Sequence, residues 1–140
     1  MIEKFLFPEA PSPNKSSLLL LWARIIIGLL FLNHGIEKWM SFGQLSETFP
    51  DPIGLGSTVS LILVIFAEVF CPFAFIFGIF YRLALLPMIF SMCIAFFIVH
   101  SEMPLASKEL SLIYLIIFIL MFIAGPGRFS ADNIVIRRCC

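Results

Sequence analysis

Charge is what this sequence has least of. Only 13% of its 140 residues are charged and 61% are hydrophobic, against roughly 25% and 45–50% in a soluble domain. That shortage excludes a water-soluble globule, and 17 Phe beside long Leu and Ile runs exclude a disordered chain. A formal net charge of zero leaves no basic surplus for a nucleic-acid partner. Cysteine is sparse as well: Cys71, Cys93, Cys139 and Cys140 make no C-x-x-C, so the usual thiol–disulfide pair is missing. No polar stretch is long enough for a soluble domain, and no short His or Cys spacing marks a metal centre. The first residues lack the compact basic region, short apolar core and cleavage site of a secretory leader, so the first apolar segment is expected to stay in the mature protein.

What remains is apolar and comes in four blocks. Their lengths predict an all-α integral membrane protein, a four-transmembrane-helix bundle with spans about 17–39, 57–80, 83–100 and 110–126. Residues 1–16, with three prolines, read as an irregular arm in which Ser16 or Ser17 caps the first span. Residues 17–133 form the membrane domain, and residues 134–140 a C-terminal tail. The Gly- and Pro-rich residues 40–56 are expected to lie over the membrane surface, and the short "YR" link makes spans two and three antiparallel neighbours. Four crossings put Lys4, Lys15, Arg82, Arg128, Arg137 and Arg138 on one side and only Lys38 and Lys108 on the other. The positive-inside rule then predicts both termini cytoplasmic.

The few ionisable residues inside the spans carry the chemistry. Arg24, Gly28, Phe31, Gly35 and Lys38 recur at spacings of four, three, four and three, so they share one face of the first span. Small residues on that stripe point it into the bundle, where a partner helix can approach closely. Glu68 falls near the middle of the second span, where a carboxylate cannot snorkel and costs about 2.5–3.5 kcal/mol unless paired or facing a polar cavity. A level antiparallel alignment sets it beside residues 28–30, with Arg24 or His34 as the expected partner, each about 6–9 Å away along the axis. His34, Glu37, Lys38, His100, Glu109 and Tyr114 gather at the outer mouth, and Arg82, Arg128 and Asp132 at the cytoplasmic end. The expected polar pocket is thus Arg24, His34, Lys38, Glu68, His100, Glu109 and Tyr114, with His34, Glu68 and His100 as candidate catalytic groups. Each also has a structural reading: snorkelling for Arg24, an interfacial anchor for Lys38, an interhelical pair for Glu68. No metal ligand set is expected, and haem on the two histidines is disfavoured.

These residues resemble the DoxX family of small four-helix bacterial membrane proteins. The similarity runs over about residues 18–133, through "RIIIGLLFLNHGIEKW", "AEVFCPFAFIFGIFYRLALLPM", a span ending in His100, and "KELSLIYLIIFILMFIAGPGRFSAD". The resemblance implies a multi-pass protein of the bacterial inner (plasma) membrane with a loose link to redox chemistry. It suggests a quinone-linked subunit, an oxidoreductase component if an enzyme at all, whose electrons come from a partner redox protein. Quinone is the one cofactor it brings forward. The alternative is a non-enzymatic scaffold or assembly factor, as a single unit or a homo-oligomer, whose only certain partner is the lipid bilayer.

Overall fold

The computed structural model describes residues 12–139; residues 1–11, which make up most of the expected arm, and Cys140 lie outside the described residues. The helices in chain order are α1 (Pro13–Met40), α2 (Phe42–Leu45), α3 (Ser57–Phe77), α4 (Tyr81–Val99), α5 (Leu105–Ala124) and α6 (Ala131–Cys139). Four of them, α1, α3, α4 and α5, are long and apolar enough to cross a membrane. The described residues contain no strand. The end with Pro13, Gly78 and α6 is the terminal end of the bundle, and the end with residues 41–56 and 100–104 is the loop end.

α1 begins earlier than the apolar run suggested. Pro13 occupies the first helical turn, where its missing N–H would be unpaired anyway, and the Ser12 hydroxyl accepts from the Lys15 N–H at 3.5 Å. Residues 13–16 are therefore helix, not arm, and Ser17 is no cap: it is buried, and its hydroxyl accepts from the Arg128 N–H at 3.2 Å. The expected tail is likewise helical through Cys139. Its start is fixed by the Ser130 hydroxyl, which accepts from the Asn133 N–H at 3.2 Å three residues on, the geometry of an N-cap.

α3 and α4 are joined by Gly78, Ile79 and Phe80, so the two helices are antiparallel neighbours, and Tyr81 and Arg82 belong to α4. The link is tight because Gly78 takes φ +70° and Phe80 φ +45°. A Cβ at Gly78 would also lie 2.6 Å from Ser130 Cβ, so that position needs glycine twice over.

The main core lies between the four spans, where Phe31, Phe75, Tyr81, Leu85, Met88 and Phe118 are closed off. Phe31 meets Phe118 edge-on at 4.9 Å between ring centroids, and Phe75 stacks on Tyr81 at 5.5 Å. Within a bilayer such contacts act through close packing, since lipid chains are as apolar as Leu. The α1 stripe inferred from spacing faces inward: Arg24, Gly28, Phe31 and Gly35 are all buried.

Two π turns interrupt the spans. In α3 it covers Phe66–Phe70, closed by Cys71 N–H donating to the Phe66 carbonyl. In α4 it covers Ala95–Val99, closed by His100 N–H donating to the Ala95 carbonyl at 3.0 Å. An inserted residue of this kind re-aims the side chains around it. Here it leaves Ala67, Glu68 and Val69 buried together.

Candidate functional site

The centre of the loop-end half is the ion pair between Lys38 Nζ and Glu68 Oε2, the one salt bridge among the described residues. Glu68 is 2% exposed, while the Lys38 side chain keeps 29% of its surface. The carboxylate is thus nearly covered, and its partner reaches it from a more open side. Gly35 makes the approach possible: a Cβ there would stand 2.5 Å from the Glu68 carbonyl oxygen and 2.8 Å from Glu68 Cβ.

Lys38 and Glu68 stand on the wall of a cavity of about 1180 Å³ between α3 and α4, backed by α1 and α5. His34, His100 and Tyr114 also line it, and its remaining wall is mostly Phe, Leu, Ala, Pro, Ile and Val. His34 meets Tyr114 edge-on, with centroids 5.9 Å apart. His100 Nδ1 is 2.7 Å from the Ala95 carbonyl. A carbonyl only accepts, so Nδ1 carries the hydrogen, and in the neutral ring Nε2 is left as a base. An ammonium has three N–H donors and only one is committed to Glu68. The wall therefore presents spare donors and a spare acceptor beside a broad apolar surface.

Residues 49–53 roof this cavity, with Phe49, Pro50, Pro52 and Ile53 contributing to its lining. Asp51 pins the roof to the start of α3. Its carboxylate accepts from Gly56 N–H, Leu55 N–H and the Ser60 hydroxyl, each at 2.9 Å. These bonds, the one from Gly56 foremost, hold the Asp51 carboxyl below the usual carboxylate range.

The terminal end holds its charges differently. Arg24 is 0% exposed, and its Nη2 donates to the Phe129 carbonyl. Its guanidinium carbon lies 6.0 Å from the Tyr81 ring centroid, and Nε and Nη1 have no partner among the described residues. Asp132 accepts from the N–H groups of Phe80 and Tyr81, both at 2.9 Å, and so caps α4. Arg128 donates to the Asn14 side-chain oxygen at 2.8 Å, and Arg82 lies 5.6 Å over the Phe122 ring.

Of the residues grouped from sequence, the structure brings His34, Lys38, Glu68, His100 and Tyr114 to one cavity. Arg24 and Glu109 are not on its wall: Arg24 lies in the terminal-end packing and Glu109 is exposed. Arg82, Arg128 and Asp132 share the terminal end but each binds a different partner. The partner of Glu68 is Lys38, rather than Arg24 or His34. The level alignment is what misled: Glu68 packs on Gly35, not beside residues 28–30, so Arg24 is eleven residues, or about 16 Å, further along α1. Residues 40–56 are expected from sequence to cap the membrane surface, but nothing in the sequence shows that residues 49–53 line the cavity, and the π turns carry no sequence signal.

The DoxX family model matches residues 19–101, which covers α1, α3, α4 and the cavity wall they build. Among curated proteins, an uncharacterized protein of Haemophilus influenzae is 25% identical over 128 residues, covering 86% of this chain and 85% of that protein. No solved structure matches the chain. A membrane-type helix bundle whose first three spans carry the family's pattern across most of their length belongs to the DoxX family.

Proposed function

We propose that this protein is a quinone-linked redox subunit of a bacterial inner membrane, with its termini cytoplasmic and the polar part of its cavity in the outer half of the bilayer. The observation that carries the reading is the cavity itself: a large apolar space in which two histidines, a tyrosine and a Lys–Glu pair converge. A quinone ring needs an apolar slot and hydrogen-bond donors for its carbonyl oxygens. His34 and the uncommitted N–H groups of Lys38 supply the donors. Reduction of the ring to a quinol takes up two electrons and two protons. Glu68 and His100 are the groups placed to pass protons, and the electrons come from a partner redox protein.

The test is binding of a quinone analogue to the purified full chain, followed by spectroscopy. His34→Ala is expected to weaken binding about tenfold, the effect of one lost hydrogen bond to the ring, and Glu68→Gln to weaken it by releasing the Lys38 ammonium that the carboxylate positions. Absence of binding, or binding unchanged in both variants, rejects the reading.

A scaffold role is the second reading, favoured by one feature. α6 leaves Ile134, Val135 and Ile136 more than half exposed beside Arg137 and Arg138. That surface suits a partner protein, and cross-linking in native membranes that captures nothing on α6 counts against it.

A further inference from the structure

We infer that the cavity is loaded sideways, from the bilayer leaflet at the loop end, by a chain-bearing amphiphile seated with its polar head under residues 49–53. Its chain runs down the groove between α3 and α4. The inference rests on the reading of the cavity as a binding site, and it names the route and the orientation.

The rims of the groove are the first ground. Leu63, Phe66 and Phe70 on α3 and Leu83, Leu86 and Phe90 on α4 both line the cavity and remain exposed on the outside of the bundle. Such a rim is unfavourable against water and matched to acyl chains. The helices also separate toward the loop end. Tyr81–Ile94 packs on Cys71–Phe77 and on the Phe66–Phe70 π turn, while Ser57–Ile65 makes no comparable contact with α4. Pro87 and the two π turns are the local departures from straight helix that go with this splay.

The second ground is the aqueous side. Phe49, Pro50, Pro52 and Ile53 line the cavity there with apolar side chains, and Asp51 ties that segment to Ser60 of α3 through one hydrogen bond and to Leu55 and Gly56, just before α3, through two more. A route from water would have to open this roof, whereas the route from lipid lies between two helices that already stand apart.

The third ground is the order of polarity along the groove. From Glu68 toward the loop end the lining includes Lys38, Ser60, His100 and Ser111. Toward the terminal end it is Cys71, Ala74, Ala84 and Pro87, all apolar. An amphiphile in the loop-end leaflet has its head at that surface and its chain toward the midplane, the same order. The α4 side of the groove, from Leu83 to His100, rises about 25 Å, which exceeds one leaflet's share of a hydrocarbon core of about 30 Å and accommodates a long chain.

The test uses the full chain in phosphatidylcholine liposomes containing a trace of phosphatidylcholine with a diazirine on one acyl chain. After illumination, labelled residues are mapped by mass spectrometry. Cys71, only 6% exposed but on the groove wall, is expected to be labelled as strongly as lipid-facing Phe73. Filling the groove with Ala67→Trp, or from the other wall with Ser91→Trp, is expected to cut Cys71 labelling about fivefold while Phe73, the control for an intact bundle, is unchanged. Cys71 labelling no greater than at the closed-core residue Phe118, or unmoved by both substitutions, overturns the inference. A parallel arm measures binding of a tailless, water-soluble benzoquinone. If that probe binds while the lipid never labels Cys71, sideways loading is wrong and the proposed function stands; lipid labelling without binding of any quinone gives the reverse.

Discussion

At the terminal end Asp132 accepts two backbone N–H groups and Arg24 donates to a backbone carbonyl, whereas at the loop end Lys38 and Glu68 bind each other on the wall of a large cavity. Both ends hold charge inside an apolar bundle. At the first, side chains satisfy the orphan groups of helix ends, so they fasten α4 and the segment after α5. At the second, the backbone of α1 and α3 is already satisfied within its helices, and the charged pair is left facing space with bonding capacity to spare. Charge that completes the backbone is architecture; charge that faces a cavity is available for a ligand.

The largest effect that separates the two ends is expected from Asp132→Ala. It strands the N–H groups of Phe80 and Tyr81, just where Phe80 already holds a positive φ, and is expected to cost about 2–3 kcal/mol of stability. Thermal unfolding in detergent measures this. Quinone-analogue affinity of the folded fraction is expected to stay within about twofold of the parent, because the cavity polar groups are untouched. A large loss of affinity at unchanged stability would erase the division between the ends.

Next in size is the coupling of Lys38 and Glu68. Lys38→Met leaves a buried carboxyl without its partner, while Lys38→Met with Glu68→Gln removes both charges together. The double variant is expected to be more stable than the sum of the singles by about 1–2 kcal/mol, read from a double-mutant cycle of unfolding midpoints. Both singles and the double are expected to lose quinone-analogue binding. Retained binding in the double variant would make the pair structural, like the charges of the opposite end.

How much of this was legible in the sequence follows from which forces act locally. The four spans were readable because their length is set by bilayer thickness, and the inward stripe of α1 because helical spacing alone decides which residues share a face. The gathering of His34, Lys38, Glu68, His100 and Tyr114 followed from antiparallel topology. The pairing of Glu68 did not, because axial register between helices depends on where a glycine lets two backbones touch, and Gly35 rather than the residues near 28–30 proved to be that point. The π turns were hidden for the same reason: they answer to tertiary packing, and Phe66–Phe70 reads as ordinary helix. The terminal-end contacts of Arg24, Arg128 and Asp132 join residues about fifty to more than a hundred positions apart, beyond any periodicity.

The smallest expected effect concerns the roof over the cavity. The Asp51 carboxyl is held below its ordinary range chiefly by the Gly56 N–H, so the folded form binds a proton less readily than the unfolded chain. Its contribution is therefore complete above the unfolded carboxyl value and is lost as pH falls through the lower, folded one. Lowering pH from neutral is expected to leave the roof closed until the ordinary carboxylate range is passed, and then to free the N–H groups of Leu55 and Gly56. Hydrogen exchange at those two amides, followed as a function of pH and corrected for intrinsic rates, reads the opening directly. Asp51→Asn is expected to show that faster exchange already at neutral pH and to remove its acid dependence, while amides around Asp132 keep the parent's protection. If the roof of Asp51→Asn stays protected, the carboxylate is not what holds residues 49–53 over the cavity, and the loop end is more rigid than its contrast with the terminal end implies.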